Sequence, residues 1–407
     1  MIYEPETVKG FQDFLPPESQ KRVAVRTIIE QTFQNYGFLP AETPSIEYEE
    51  LMKPNSLEVE DDAVSERFRL KDRGGRNLGL RYEFTFQIAR IMKQNPNIKL
   101  PFKRYQIGNV FRDEPTGQNR FREFTQCDID VIGDTSSESE AECLAATADI
   151  LTKLKIPFEI QVNNRKLLNA ILESLQIGNK TAVIREIDKK DKLGEDEIKA
   201  NLRKYSDANQ IIALFKLLEK DLDFFKENLF EGADEIFKLQ ELGKSYGFKI
   251  KFNPWIARGL SYYTGNIFEV KTEGMKETLA AGGRYDKIVG RFLNKEIPAV
   301  GISFGLDRIA TKAQIEIPKT KAIILSISQD KEAIKLAQKL RASNISCVTS
   351  FDKIGKALEY ADSYQIPYAI FLGKDEIKQK KLKLRDMKSG EETLLIEKSV
   401  ISKLKKA

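Results

Sequence analysis

The segment Arg120-Phe-Arg-Glu-Phe-Thr-Gln-Cys-Asp-Ile-Asp130 concentrates side chains that bind charge. Read as a β-strand, it sends alternate side chains to opposite faces. Arg120, Arg122, Phe124, Gln126, Asp128 and Asp130 then share one side, and Phe121, Thr125, Cys127 and Ile129 the other. Arg122 to Asp130 would span roughly 26 Å before twist, enough for an extended nucleotide plus a small substrate. Arginines at one end suit phosphates, an aromatic ring in the middle can stack on a base, and an amide and carboxylates at the far end suit a cationic or NH-bearing group. The bland alternative is a strand with one solvated face.

Upstream, Tyr105-Gln-Ile-Gly-Asn-Val-Phe-Arg112 is a second expected strand that ends on an arginine. The polar turn at 113–119 (DEPTGQN) joins the two into a hairpin and brings Arg112 near the polar row. The chain contains no histidine, which removes imidazole bases, Ser-His-Asp and Cys-His systems, and histidine metal sites. Cys127, Cys143 and Cys347 form neither a CxxC pair nor an even disulfide framework, and they fit a reducing compartment. The chemistry must therefore run on Arg, Asp/Glu, Tyr and bound ions.

The elements that position these groups read as follows. Val23, Ile28, Ile29 and Phe33 have helical spacing over 18–38, and Pro40 and Pro44 punctuate an extended segment after it. From 66 to 133 the pattern is mostly strand-like, with polar turns at 71–77 and 113–119 and a helix near 86–95; 137–155 is helical. Residues 165–245, rich in Lys, Glu, Leu and Ile, read as a helical insertion. Strand signals return at 268–270, 280–286 and 299–309, the last running into a helix, and Glu273–Glu277 reads as a mobile loop. A boundary is expected at 315–320. Beyond it 322–328, 345–350 and 368–372 as strands alternate with helices at 331–342 and 353–364, a small α/β domain. The two domains are thus expected at 1–318 and 319–407.

With 407 residues and 41% hydrophobic composition the chain has room for two or three globular domains. Neither a secretory leader nor a stretch long and apolar enough for a bilayer is apparent, so a soluble protein away from membranes is expected. Net charge is +5, but residues 319–407 carry 19 Lys+Arg against 11 Asp+Glu, so +8 there and −3 elsewhere. The basic end is a candidate polyanion-binding surface. Its plain alternative is a solvated face with a frayed lysine-rich tail.

The hairpin "FRDE…NRFREFTQCDID" resembles motif 2 of class II aminoacyl-tRNA synthetases, nearest in form to the histidyl branch. GFLPAETPSIE (37–47) is similar to motif 1, with Pro44 at the position that lies at the family's dimer interface, and GISFGLDRI (301–309) is similar to motif 3, with Arg308 its arginine. Ala257-Arg-Gly-Leu-Ser-Tyr-Tyr-Thr-Gly265 and Gly282-Gly-Arg-Tyr-Asp286 resemble the two signatures that separate the histidyl enzymes from other class II members. Residues 355–376 resemble the family's anticodon-binding domain.

The resemblance implies an α+β fold: an antiparallel six-stranded catalytic sheet flanked by helices, the insertion near 165–245, and an α/β anticodon-binding domain. It implies a cytoplasmic homodimer that activates histidine with ATP and Mg²⁺ and transfers it to tRNA(His). Carried over by residue, Glu83 and Thr85 would hold the substrate ammonium, Gln126 the amino-acid backbone, and Asp130 with Tyr263 the imidazole, with Tyr262 and Tyr285 beside them. Arg112 and Arg258 would grip the α-phosphate and carboxylate as the catalytic pair. Phe124 and Arg308 would sandwich the adenine, and Glu114 and Arg120 would complete the ATP site. The family usually has Asp where this chain has Ser261. Two other readings use the same scaffold. A non-aminoacylating paralogue that regulates ATP phosphoribosyltransferase lacks the C-terminal domain, and a catalytically dead tRNA-binding sensor would have shed the motif arginines.

Overall fold

The structure, a computed structural model, describes residues 5–52, 67–117, 120–191, 193–258, 262–275 and 277–406. It divides into two compact units, Met1–Ile315 and Glu316–Ala407.

In the first unit the strands are β1 (Leu39–Pro40), β2 (Ile46–Tyr48), β3 (Arg69–Lys71), β4 (Asn77–Leu80), β5 (Phe102–Phe111), β6 (Glu123–Ile132), β7 (Phe158–Asn164), β8 (Ile250–Phe252), β9 (Asn266–Thr272), β10 (Thr278–Arg284) and β11 (Ala299–Gly305). Eight of them form one sheet in the order β1-β5-β6-β11-β10-β9-β7-β8. The six central strands are antiparallel to their neighbours, whereas β1 runs parallel to β5 and β8 parallel to β7. The expected six-stranded antiparallel sheet is thus the middle of a mixed eight-stranded one. The added edges are only 2 and 3 residues long, too short to leave a periodic signal. A separate small sheet pairs β2-β4-β3.

One face of the large sheet is apolar. Cys127, Ile129 and Val131 on β6 lie opposite Phe304, Ile302 and Val300 on β11, and all six are buried. The helices Glu18–Asn35 and Ser137–Lys153 supply buried side chains to the same core cluster. The first helix buries Val25, Ile29, Thr32 and Phe33, with the Phe33 ring 5.7 Å from both Tyr105 and Phe304. Val23, expected on that buried stripe, is exposed, because Val25 and Thr32 complete the i, i+4, i+7 face instead.

Between β7 and β8 the insertion is helical, running from Arg165–Ser174 through Lys180–Ile187, Glu195–Leu202, Ala208–Leu217 and Leu222–Glu227 to Ala233–Ser245. Of the expected loop at 273–277 the described residues are 273–275 and 277, and there the Thr272 N–H donates to Glu277 O and the Met275 N–H to Thr272 O. Strand β10 carries Gly282, whose place is fixed by close approach: a Cβ there would stand 2.1 Å from the carbonyl oxygen of Gly301 and 2.7 Å from Cα of Ile302.

The second unit holds β12 (Ala322–Ser326), β13 (Cys347–Ser350), β14 (Tyr368–Leu372), β15 (Leu382–Asp386) and β16 (Glu392–Leu395) in the order β13-β12-β14-β15-β16. The first three are parallel and the last two antiparallel. The lysine-rich end is no frayed tail. Residues Glu397–Lys406 form a helix that buries Val400 and Leu404 against the domain core.

Because the backbone of β11 lies where a methyl group would have to go, Gly282→Ala should cost about 1–3 kcal/mol or more. Urea unfolding followed by circular dichroism measures it, and a variant as stable as the parent would mean the two strands separate easily.

Candidate functional site

The other face of the same sheet is polar. Gln126, Asp128 and Asp130 on β6 stand between Gly108, Gln106 and Arg104 on β5 and Gly305, Ser303 and Gly301 on β11. A cleft of about 670 Å³ opens over them. It is lined by Glu83, Thr85, Arg112, Glu114, Arg120, Gln126, Asp130, Arg258, Tyr262, Tyr263 and Tyr285, so most of the residues expected at the site come together.

Asp130 is buried and its charge is met from two sides. Arg104 Nη2 lies 2.7 Å from Oδ2, with the arginine side chain 1% exposed, and the Tyr285 hydroxyl donates to Oδ1. Burial pushes the Asp130 carboxyl above the usual range, while Arg104 and Tyr285 pull it back. Tyr285, expected merely beside the imidazole-reading pair, is the tyrosine bonded to Asp130; the Tyr263 ring packs 4.8 Å from that of Tyr262 instead.

Glu83 is set by the start of the helix Thr85–Gln94. Its Oε1 accepts from the Phe86 N–H at 3.1 Å, meeting one of the donors that a helix N-terminus leaves open. The Tyr262 hydroxyl lies 3.4 Å from Oε2, and burial raises the Glu83 carboxyl, with Thr85 and the Phe86 N–H opposing.

The cations gather elsewhere in the cleft. Arg112 follows directly on β5, with its guanidinium 4.5 Å above the Tyr82 ring and 5.1 Å from Phe124. Arg120 is paired with Glu114, its Nε 2.8 Å from Oε2. Arg258 sits at φ +48°, a strained backbone for a residue with a Cβ. Arg165 Nη2 donates to the Arg258 carbonyl at 2.8 Å, and Glu269 Oε1 lies 3.0 Å from Arg258 Nη1. Ser261 falls outside the described residues.

Two expectations need correction. Arg122 does not join the polar row: the strand begins at Glu123, and Arg122 instead donates from Nε to the Glu114 carbonyl and pairs with Asp113. Arg120 reaches the cleft from the connecting loop and not by strand alternation. The expected adenine pair is Phe124 and Arg308. Both lie outside the cleft lining, Phe124 near Arg112 and Arg308 with its Nε 3.7 Å from Glu277.

Sequence reasoning passed over Arg104, Glu269 and the cleft residues supplied by the insertion, among them Lys189 and Tyr205. Arg104 had a signal, since a hairpin symmetric about residue 117 puts it directly across from Asp130. The insertion residues had none, because their approach to the sheet is a long-range packing outcome. Asp128, placed on the polar row but given no role, also lines the cleft. Arg284 of the GGRYD segment proves structural: its Nε lies 2.5 Å from buried Glu140, and its Nη groups donate to the carbonyls of Asp134 and Ser136.

Residues 10–309 match the family model for histidyl-tRNA synthetase, and 320–407 match the model for an anticodon-binding domain. The chain belongs to the histidyl-tRNA synthetase family. It is 38% identical to histidine–tRNA ligase 1 of Bacillus cereus, over 96% of this chain and 94% of that one. It is 33% identical to histidine–tRNA ligase of Helicobacter acinonychis, over 95% and 94%. Among solved structures it superposes on histidyl-tRNA synthetase from Nostoc sp. PCC 7120 with a TM-score of 0.87 at 27% identity, covering 99% of each chain. The family's class II architecture accounts for the sheet described above, and the family uses ATP.

Arg104→Met should destabilise the fold by about 3–5 kcal/mol, since it strands Asp130 as an uncompensated buried charge. Burial would then raise the folded Asp130 carboxyl unopposed by Arg104. A group that binds its proton more tightly when folded contributes stability below its unfolded pKa and loses it as pH rises through the folded one. Urea titrations at a mildly acidic and an alkaline pH should show the larger deficit at the alkaline one, where the stranded carboxyl has to give up its proton.

Proposed function

We propose that this protein is a histidine–tRNA ligase, activating histidine with ATP to histidyl-adenylate and passing it to the 3′ end of tRNA(His). The observation that carries the reading is one cleft holding two sets of opposite charge: Arg112, Arg120 and Arg258 among its cations, and Glu83, Asp128 and Asp130 among its carboxylates. An amino acid and a nucleoside triphosphate need such a division, with acceptors for the ammonium and imidazole N–H groups and guanidinium groups for carboxylate and phosphates.

In this reading Asp130, Tyr263 and Tyr285 face the imidazole, and Glu83, Thr85 and Gln126 hold the amino-acid backbone, with Tyr262 against Glu83. Attack of the histidine carboxylate on the α-phosphorus builds negative charge that Arg112 and Arg258 stabilise in place, with no proton to shuttle. This suits a chain without histidine. Phe124 and Arg308 take the adenine once Arg308 leaves Glu277. No cluster of three or more Asp, Glu or Cys groups suited to a metal occurs among the described residues. An ion escorted by a triphosphate needs only one or two protein carboxylates, and Glu114, beside Arg120, is the one we assign to it. Mg²⁺ would add charge neutralisation at the phosphates.

The partner surface for tRNA is the C-terminal segment 319–407, with its net charge of +8. A domain of this kind at 320–407 also weighs against the regulatory paralogue, which lacks it. The arginines retained in the cleft weigh against a dead sensor. A homodimer through the 37–47 segment is supported by the exposed apolar side chains of Leu39 and Ile46 within it and of Tyr48 just after it. A cytoplasmic setting suits three free, buried cysteines, and no helix among the described residues is long and apolar enough to cross a membrane.

ATP–pyrophosphate exchange assayed with each of the twenty amino acids should respond to histidine alone and stop on chelation of Mg²⁺. Exchange driven by another amino acid, or none at all, contradicts the assignment. Arg258→Lys and Arg258→Ala should each lower kcat for exchange by on the order of a hundredfold while leaving the KM for ATP nearly unchanged, since a point charge replaces a bidentate fork poorly.

A further inference from the structure

Asp128 is the cleft carboxylate whose charge the protein leaves unanswered. It is 4% exposed and lines the cleft. Its Oδ2 accepts from Gln126 Nε2 at 2.9 Å, whereas Oδ1 has no hydrogen-bond partner of good geometry, the Ser303 hydroxyl lying close by. The charged groups that face it are Asp130 on its own strand and Arg104 on β5; β11 presents only Ser303. Arg104 is already engaged with Asp130. The neighbouring carboxylates are better served, since Glu83 accepts from the Phe86 N–H and Glu114 is paired with Arg120. A buried carboxylate with no cation takes up a proton or waits for a cation to arrive.

Alternate residues on a strand stand roughly 7 Å apart, which is comparable with the reach from imidazole to ammonium in histidine. With the ring at Asp130, the ammonium group falls toward Asp128 and Gln126. We propose that Asp128 is a second acidic anchor, besides Glu83, for the α-ammonium group of the substrate, acting from strand β6. This rests on the histidine-activating reading above. Burial and the adjacent Asp130 push the Asp128 carboxyl up to about 7. Around pH 7 a large share of the free protein therefore carries a proton there, which the arriving ammonium displaces to solvent. No covalent bond changes.

Two histidine analogues separate the groups: histidinol keeps the ammonium and lacks the carboxylate, and 3-(imidazol-4-yl)propionate keeps the carboxylate and lacks the ammonium. Calorimetric titration of the full-length protein needs no turnover. Asp128→Asn, confirmed as folded by its thermal melt, should weaken histidinol about tenfold or more, as expected for loss of a charge-assisted hydrogen bond. The propionate should bind that variant as well as before, or tighter. In the unmodified protein, histidinol should gain affinity relative to the propionate as pH rises through about 7. This comparison stands alone should the variant not fold. Equal losses for both analogues, no loss for either, or a flat pH ratio overturns the proposal. Failure of the unmodified protein to bind either analogue overturns instead the reading on which it rests.

Discussion

Carboxyl groups in the middle of a sheet are tolerated only where each meets a cation or enough donors, or keeps its proton. Strand β6 buries two such groups, Asp128 and Asp130, within three residues. Much of the catalytic unit follows from that constraint. Arg104 has to enter from β5 at the one register that puts it across from Asp130. Tyr285 has to arrive from the end of β10, and Gly301 has to lack a side chain, because a Cβ there would stand 2.2 Å from Asp130 Oδ1. The glycine-rich strands β10 and β11 are therefore part of how the carboxylate is accommodated.

The opposite face explains why this arrangement holds its geometry. Cys127, Ile129 and Val131 alternate with the polar residues of β6 and are buried in the same core as the first helix. A one-residue slip would put the carboxylates into that core and the apolar side chains into the cleft. The helical insertion adds a further restraint, holding the carbonyl of Arg258 through Arg165 while Glu269 holds its guanidinium. The strained backbone at Arg258 is thus pinned at both ends of the residue, which preorganises a cation against the cleft.

The strands and helices that carry the site were legible because their periods are clean: alternation along 123–132, glycine-rich strands at 278–305, helical spacing through 165–245. Edges and ends were not. Leu39–Pro40 and Ile250–Phe252 become strands only because a neighbour offers them hydrogen bonds. The lysine-rich end read as solvated because the two side chains that dock it, Val400 and Leu404, are sparse among charges. At the site, identity and face could be read for Gln126 and Asp130, but not the partner of each. The alternation that placed Asp130 correctly misplaced Arg122, since it was extended past the point where the ladder ends at Glu123. Arg308 shows the other limit: its motif position is plain, while its side chain turns to Glu277.

In the proposed reaction the polar face of β6 has a direction, with the amino acid at its Asp130 end and the nucleotide at its Phe124 end. A crystal structure of the protein with histidinol and ATP tests it most directly. The account predicts the imidazole against Asp130 and Tyr263, the α-phosphate between Arg112 and Arg258, and the adenine on Phe124 with Arg308 swung away from Glu277. A nucleotide base at the Asp130 end, or either ligand bound outside the cleft, would contradict it.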